Sequence, residues 1–196
     1  MAEKHVDLTG FVWFNPPGQM DVAPESLEFV TSPDTDFWQR THYGFRRNNG
    51  HALLMPLPAD EFSFSIQTEF FYETLYDQAG ILLYLDEEHW AKASIEFETE
   101  SFGNLGSVVT NGGWSDWATT PIPTDVNRMA YRISRRGSDF LFECAPDGDD
   151  YQPMRVFHLL GDVAAAKVGL YACSPSESRF KARFTEPTLT ASQWKH

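Results

Sequence analysis

Three carboxylates stand at alternate positions in Glu96-Phe97-Glu98-Thr99-Glu100, so an extended strand through them aims all three to one side. Glycoside hydrolysis needs two carboxyl groups across the scissile bond, one as acid and one as nucleophile or base. Glu96 with Glu98, or with Glu69 from an earlier segment, is the hydrolytic pairing this chain offers. The same region suits a second chemistry. Trp90, Lys92 and Glu96 share one parity of an alternating segment, and Gln78 and Tyr84 precede them. Aromatic ring faces cover the C–H patches of a sugar, while amide, carboxylate and ammonium groups take up its hydroxyls. Asn111, Trp114, Asp116 and Trp117, in the Gly-Gly segment 110–117, offer a roof for such a groove. His42, within the aromatic-polar cluster 35–44, is a further ligand contact or acid/base.

Each of these features has a plainer reading. Trp90 and Tyr84 can lie beneath the 102–120 segment, with Lys92 and Glu96 as an ordinary exposed ion pair. Trp114 and Trp117 can plug the edge of the fold, His42 can be a hydrogen-bonded structural residue, and the Glu run can be a solvated strand end. Arrival of all these groups on one face distinguishes the readings. A lectin-like, non-catalytic module for a saccharide or polyol is the leading expectation. The alternatives are a glycoside hydrolase and a protein-interaction or homodimerising domain.

No Gly-x-Ser-x-Gly elbow, P-loop, dinucleotide fingerprint or His-Glu-x-x-His motif is present, so no cofactor is called for. Asp147, Asp149 and Asp150 form an acidic turn without EF-hand spacing, and no metal is expected. Cys144 and Cys173 lack metal-ligand spacing and read as buried thiols, with a single disulfide as the other option. With 15 basic and 28 acidic residues the formal charge is −13, which repels nucleic acid and anionic membranes. Residues 1–10 are polar and lack a signal-like apolar run, so a cytoplasmic location is the expectation.

The elements that must position these groups are strands. Phe62, Phe64, Ile66, Thr68 and Phe70 alternate with polar neighbours over 61–72. Ile81, Leu83 and Leu85 share one side of 79–85. After the turn Asp86-Glu87-Glu88, Ala91, Ala93, Ile95 and Phe97 oppose Trp90, Lys92, Ser94, Glu96 and Glu98 over 89–98. Further strands read over 105–111, 129–135, 139–144, 154–159, 167–173 and 179–189. One short helical turn falls at 161–166. If these registers share one outward face, it also carries Gln67, Glu69, Phe71, Arg132, Glu143 and Tyr171. A chain of 196 residues with this many antiparallel strands predicts one all-β domain over 1–196, its core at about 10–189. A jelly-roll β-sandwich of two antiparallel sheets is the expected architecture.

Segments 35–44, 79–87, 90–92 and 107–117 together resemble the uncharacterised regulation-of-enolase family of concanavalin A-like proteins, over about residues 10–189. The resemblance implies the jelly roll of lectins and glucanases and supplies no catalytic residues. Glu96-x-Glu98-x-Glu100 is also similar to the Glu-x-Asp-x-Glu strand of retaining jelly-roll glucanases, with Glu in place of the central Asp.

Overall fold

The computed structural model describes residues 4–146 and 148–195. Its strands, in chain order, begin with β1 (Lys4–His5), β2 (Val12–Phe14), β3 (Gln19–Ala23), β4 (Ser26–Val30), β5 (Phe37–Gln39), β6 (Arg46–Asn48) and β7 (His51–Pro56). The long strands follow: β8 (Glu61–Phe71), β9 (Gln78–Asp86), β10 (His89–Phe97), β11 (Phe102–Asn111), β12 (Trp114–Pro123), β13 (Arg128–Arg136) and β14 (Asp139–Pro146). β15 (Gln152–His158), β16 (Lys167–Cys173) and β17 (Lys181–Thr190) complete the chain. The short helical turn is a 3-10 turn at Val163–Ala165.

Two large antiparallel sheets make the sandwich of a concanavalin A-like jelly roll. One runs β15-β14-β13-β8-β17-β4-β3, with β1 added to β17. The other runs β12-β11-β10-β9-β16-β7-β2, and β5 and β6 form a separate two-stranded hairpin. Alternation explains the core. Phe62, Phe64, Ile66 and Phe70 of β8 and Tyr131 and Ile133 of β13 meet Ile81 and Leu83 of β9, Ala91, Ala93 and Ile95 of β10 and Leu170 of β16. These residues are essentially unexposed, and each large side chain contributes about 1.5–3 kcal/mol through burial. Small Ala91 and Ala93 in a core cluster otherwise rich in Phe leave room for the large side chains around them.

The outward residues do not form one face. Gln67, Glu69, Phe71, Arg132 and Glu143 belong to the eight-stranded sheet, whereas Gln78, Tyr84, Trp90, Lys92, Glu96 and Tyr171 belong to the seven-stranded sheet. Period two assigns a residue to the non-core side of its strand but carries no information on which sheet that strand joins. Arg132 instead makes a bidentate pair with Glu143 (2.6 and 2.8 Å) under the ring of Tyr151.

Segment 110–117 is a hairpin rather than a roof loop. Asn111 pairs with Trp114 across Gly112 and Gly113, whose φ values of +57° and +73° suit the two-residue turn. Both cysteines are free and buried, and burial pushes the Cys144 thiol up to about 11. Of the acidic turn, Asp149 and Asp150 are exposed, and Asp147 lies outside the described residues.

Candidate functional site

On the seven-stranded sheet, the face away from the core is divided by the β5–β6 hairpin. Phe37 of β5 is fully buried against it, with ring centroids 5.8 Å from Trp90, 5.9 Å from Tyr171 and 6.3 Å from Tyr84. Leu54, Leu82, Val108 and Cys173 join them in a second apolar cluster. Ion pairs pin the hairpin to the β9–β10 turn: Arg40 and Arg46 reach Glu88 at 3.0 and 3.3 Å. Arg40 also donates to the Gly113 carbonyl at 2.8 Å, and the Gln39 amide donates to Ser115 Oγ at 2.9 Å.

Beyond the hairpin the face opens into a cleft of about 310 Å³. Its floor is a hydrogen-bonded chain of side chains. Lys92 Nζ donates to Asp36 Oδ1 (3.3 Å) and Gln78 Oε1 (2.8 Å), and Gln78 Nε2 donates to Glu96 Oε2 (2.9 Å). Tyr171, from beneath the hairpin, places its hydroxyl 3.1 Å from Gln78 Oε1 and 2.7 Å from Ser94 Oγ. Asp36 is oriented from behind by the Phe37 amide at 2.7 Å. The cross-strand register explains the assembly, because Glu96 faces Gln78 and Lys92 faces Leu82 on β9, so Lys92 must reach along the sheet to the amide.

Aromatic groups wall the floor: Trp38, Tyr43 and Phe45 from the hairpin side, Tyr76 from the β8–β9 connection and Trp117 from β12. Gly106 lets Trp117 lie across the sheet, since a Cβ there would stand 2.9 Å from the indole nitrogen. Burial pushes Glu96 up to about 7 against the opposing pull of Lys92, while Asp36 and Glu98 add to the rise. Although Glu96 keeps some surface open to the cleft, the enclosing walls limit hydration of its charge.

Of the residues expected at a site, Gln78, Lys92, Glu96 and Trp117 come together in the cleft. Trp90 does not, because Phe37 covers it completely. Tyr84 is half-buried, contacts Phe14 at 4.9 Å and accepts a hydrogen bond from Asn48. Trp114 projects from β12 with 61% exposure, Asp116 pairs with Arg155 at 2.8 Å, and Asn111 bonds the backbone of His158 and Leu160. His42 sits at φ +60° in the hairpin turn and contacts Tyr43 at 4.8 Å, outside the cleft lining.

Neither hydrolytic partner expected for Glu96 lines the cleft. β10 ends at Phe97, and Glu98 beyond it accepts from Asn104 Nδ2 at 2.7 Å instead of lining the cleft. Glu69 stands on the other sheet beside Arg128 and Arg183. Sequence reasoning missed Asp36, Trp38, Tyr43, Phe45 and Tyr76 as parts of this cleft. The aromatic-polar density of 35–44 was a visible signal, but where that segment folds back depends on contacts with β9, β10 and β16.

A family model described as "Protein of unknown function (DUF1349)" matches residues 13–192. Regulation of enolase protein 1 of Saccharomyces cerevisiae is 31% identical over 197 residues, covering 97% of this chain and 94% of its own. A crystal structure of a functionally unknown protein from Saccharomyces cerevisiae superposes with a TM-score of 0.84 at 30% identity, over 95% of this chain and 98% of that one. A xylan beta-1,4-xylosidase from Bacillus halodurans is similar over 86% of this chain and 33% of its own, with a TM-score of 0.67 at 15% identity; that likeness is one of fold.

Proposed function

This chain belongs to the DUF1349 family of proteins of unknown function, and from that premise we propose that it is a lectin-like module binding a neutral saccharide or other polyol without catalysis. The observation that carries the reading is the composition of the cleft, in which aromatic walls stand over a floor of mutually oriented polar groups. Trp117 and Tyr43 offer ring faces, and Lys92, Glu96, Asn104 and Ser94 add polar groups to the same lining. A volume of about 310 Å³ lies at the lower end of the range usual for small-molecule sites.

Charge balance favours a neutral ligand. Lys92 and Arg47 are offset by Asp36 and Glu96 within the lining, and the whole chain carries −13. Binding is favoured over hydrolysis by the disposition of the carboxylates. Glu96 and Asp36 line the cleft, and Asp36 is already held by Lys92 and the Phe37 amide, whereas Glu98, outside the lining, is held by Asn104 and Glu69 stands on the other sheet. A hydrolase needs a second carboxyl group free to act as base or nucleophile.

Titration of neutral gluco-, xylo-, manno- and galacto-oligosaccharides, followed by tryptophan fluorescence and calorimetry, tests the reading. A binder is expected, with Trp117→Ala weakening it about 3- to 10-fold through loss of the ring face. Trp114→Ala, on the same strand but outside the cleft, leaves the affinity unchanged. Absence of heat and of any emission change across the whole panel overturns the proposal.

A further inference from the structure

The cleft floor holds two carboxylates, Asp36 and Glu96, each with one oxygen that accepts no protein hydrogen bond among the described residues. Gln78 Oε1 faces both Lys92 Nζ and the Tyr171 hydroxyl, which fixes the orientation of the amide. Its Nε2 must therefore donate, and it does so to Glu96 Oε2. The other oxygen of Glu96, Oε1, has no protein hydrogen-bond partner among the described residues, and Glu96 lines the cleft. Close by, Lys92 directs two of its three N–H groups to Asp36 and Gln78, which leaves one donor. The floor thus presents a cleft-facing acceptor on Glu96 and a remaining donor on Lys92, two side chains of one face of β10 joined through the Gln78 amide.

We propose that Glu96 is the specificity-determining residue of this cleft, selecting neutral ligands whose hydroxyl donates to its free oxygen while a neighbouring hydroxyl accepts from Lys92. A vicinal diol on a sugar ring supplies one hydroxyl for each of the two groups. The inference rests on the saccharide reading and adds to it the group that discriminates among ligands. Uronic acids and other anionic sugars are rejected, because they bring a like charge to Glu96 and Asp36.

The charged and titratable surroundings of Glu96 set how this selection responds to pH. Lys92 stands on its own strand, Glu98 just beyond it, Asp36 ahead of β5, Tyr76 before β9 and Tyr171 and Cys173 on β16, with Arg47 of β6 in the same cleft. Burial brings Glu96 to about 7. A hydroxyl donating to a carboxylate makes a charge-assisted bond, about twice as strong as a neutral one. A neutral diol consequently holds Glu96 in its ionised form and lowers its pKa in the complex. By linkage the affinity rises with pH between the bound and free pKa values and is complete above about 7. For an anionic sugar the sign reverses.

Calorimetry with cellotetraose, xylotetraose, mannotetraose and tetragalacturonate between pH 5.5 and 8.5, on the wild type and Glu96→Gln, supplies the test. For a neutral binder the wild-type affinity is expected to rise about tenfold over this range, equivalent to one unit of pKa displacement on binding. Glu96→Gln is expected to stay at the weak, low-pH level throughout. A carbon-13 titration of the Glu96 carboxyl in the wild type, with and without the sugar, reads the displacement even if the variant folds poorly. Its pKa is expected to fall on binding. Affinity that is flat or falls with pH, a variant that keeps the pH dependence, or a carboxyl whose pKa does not fall removes the role of Glu96 and leaves the saccharide site standing. Failure of every sugar to bind the wild type at every pH removes both.

Discussion

Replacing Asp36 by alanine strips the buried Lys92 ammonium of its closest carboxylate. The two side chains are only 6% and 12% exposed, so the pair counts as a buried one rather than a surface ion pair. Removing one partner from such a pair costs about 3–5 kcal/mol, a large share of the stability of an ordinary domain. The loss depends on pH through Glu96. Its folded pKa of about 7 lies above its ordinary 4.5, so the wild type loses stability as pH rises from 4.5 through 7 and the carboxyl ionises in the fold. Asp36 is one cause of that elevation, after burial, and Lys92 opposes it. Without Asp36 the Glu96 pKa falls, and each unit of fall returns about 1.4 kcal/mol above pH 7. The deficit of Asp36→Ala relative to the wild type is therefore greatest near pH 5 and shrinks towards pH 8. Urea unfolding at both pH values, followed by tryptophan emission, measures it. Asp36→Asn combined with Lys92→Met removes both charges at similar volume and is expected to recover most of the loss. A single-variant deficit below about 1 kcal/mol, or one that grows from pH 5 to pH 8, refutes the electrostatic account of the floor.

Two further outcomes test the covering hairpin and the buried thiols. Gly50→Ala would place a Cβ 2.3 Å from the Phe37 ring, which is fully buried, and is expected to cost about 1–3 kcal/mol in thermal or chemical unfolding. Gly10→Ala, where a Cβ meets nothing within 4 Å, is the matched control and stays close to the wild type. Cys144 and Cys173 are buried with thiols shifted upward, so a thiol reagent at pH 8 is expected to modify neither in the native protein and both after denaturation. Rapid modification of the native chain contradicts the packing around them.

Much of the fold was legible because strands half-buried against a core announce themselves by period two. The alternation in 61–72, 79–85 and 89–98 falls within one residue of β8, β9 and β10 at every end, and Ala91, Ala93 and Ile95 face the core as the pattern requires. β12 escaped this logic. As an edge strand of the sheet, with most of its residues exposed and Pro121 and Pro123 near its end, it has no continuous apolar face to detect. The Gly112-Gly113 pair between two β-prone stretches was the available sign of its hairpin.

The amino-acid sequence by itself determined which side chains of each strand share a parity, and so that Trp90, Lys92, Ser94 and Glu96 leave the core together. That is a local property, set by the backbone pleat. Tertiary structure alone decided their different fates. Phe37, more than fifty residues away in the chain, folds over Trp90 and stops short of Lys92 and Glu96, so one half of the face becomes a second core and the other a cleft. The same folding brings Asp36 to Lys92 and, through the crowding that limits water, raises Glu96 to about 7. The polar-aromatic row is local in origin, but its accessibility and protonation are set by contacts between distant segments.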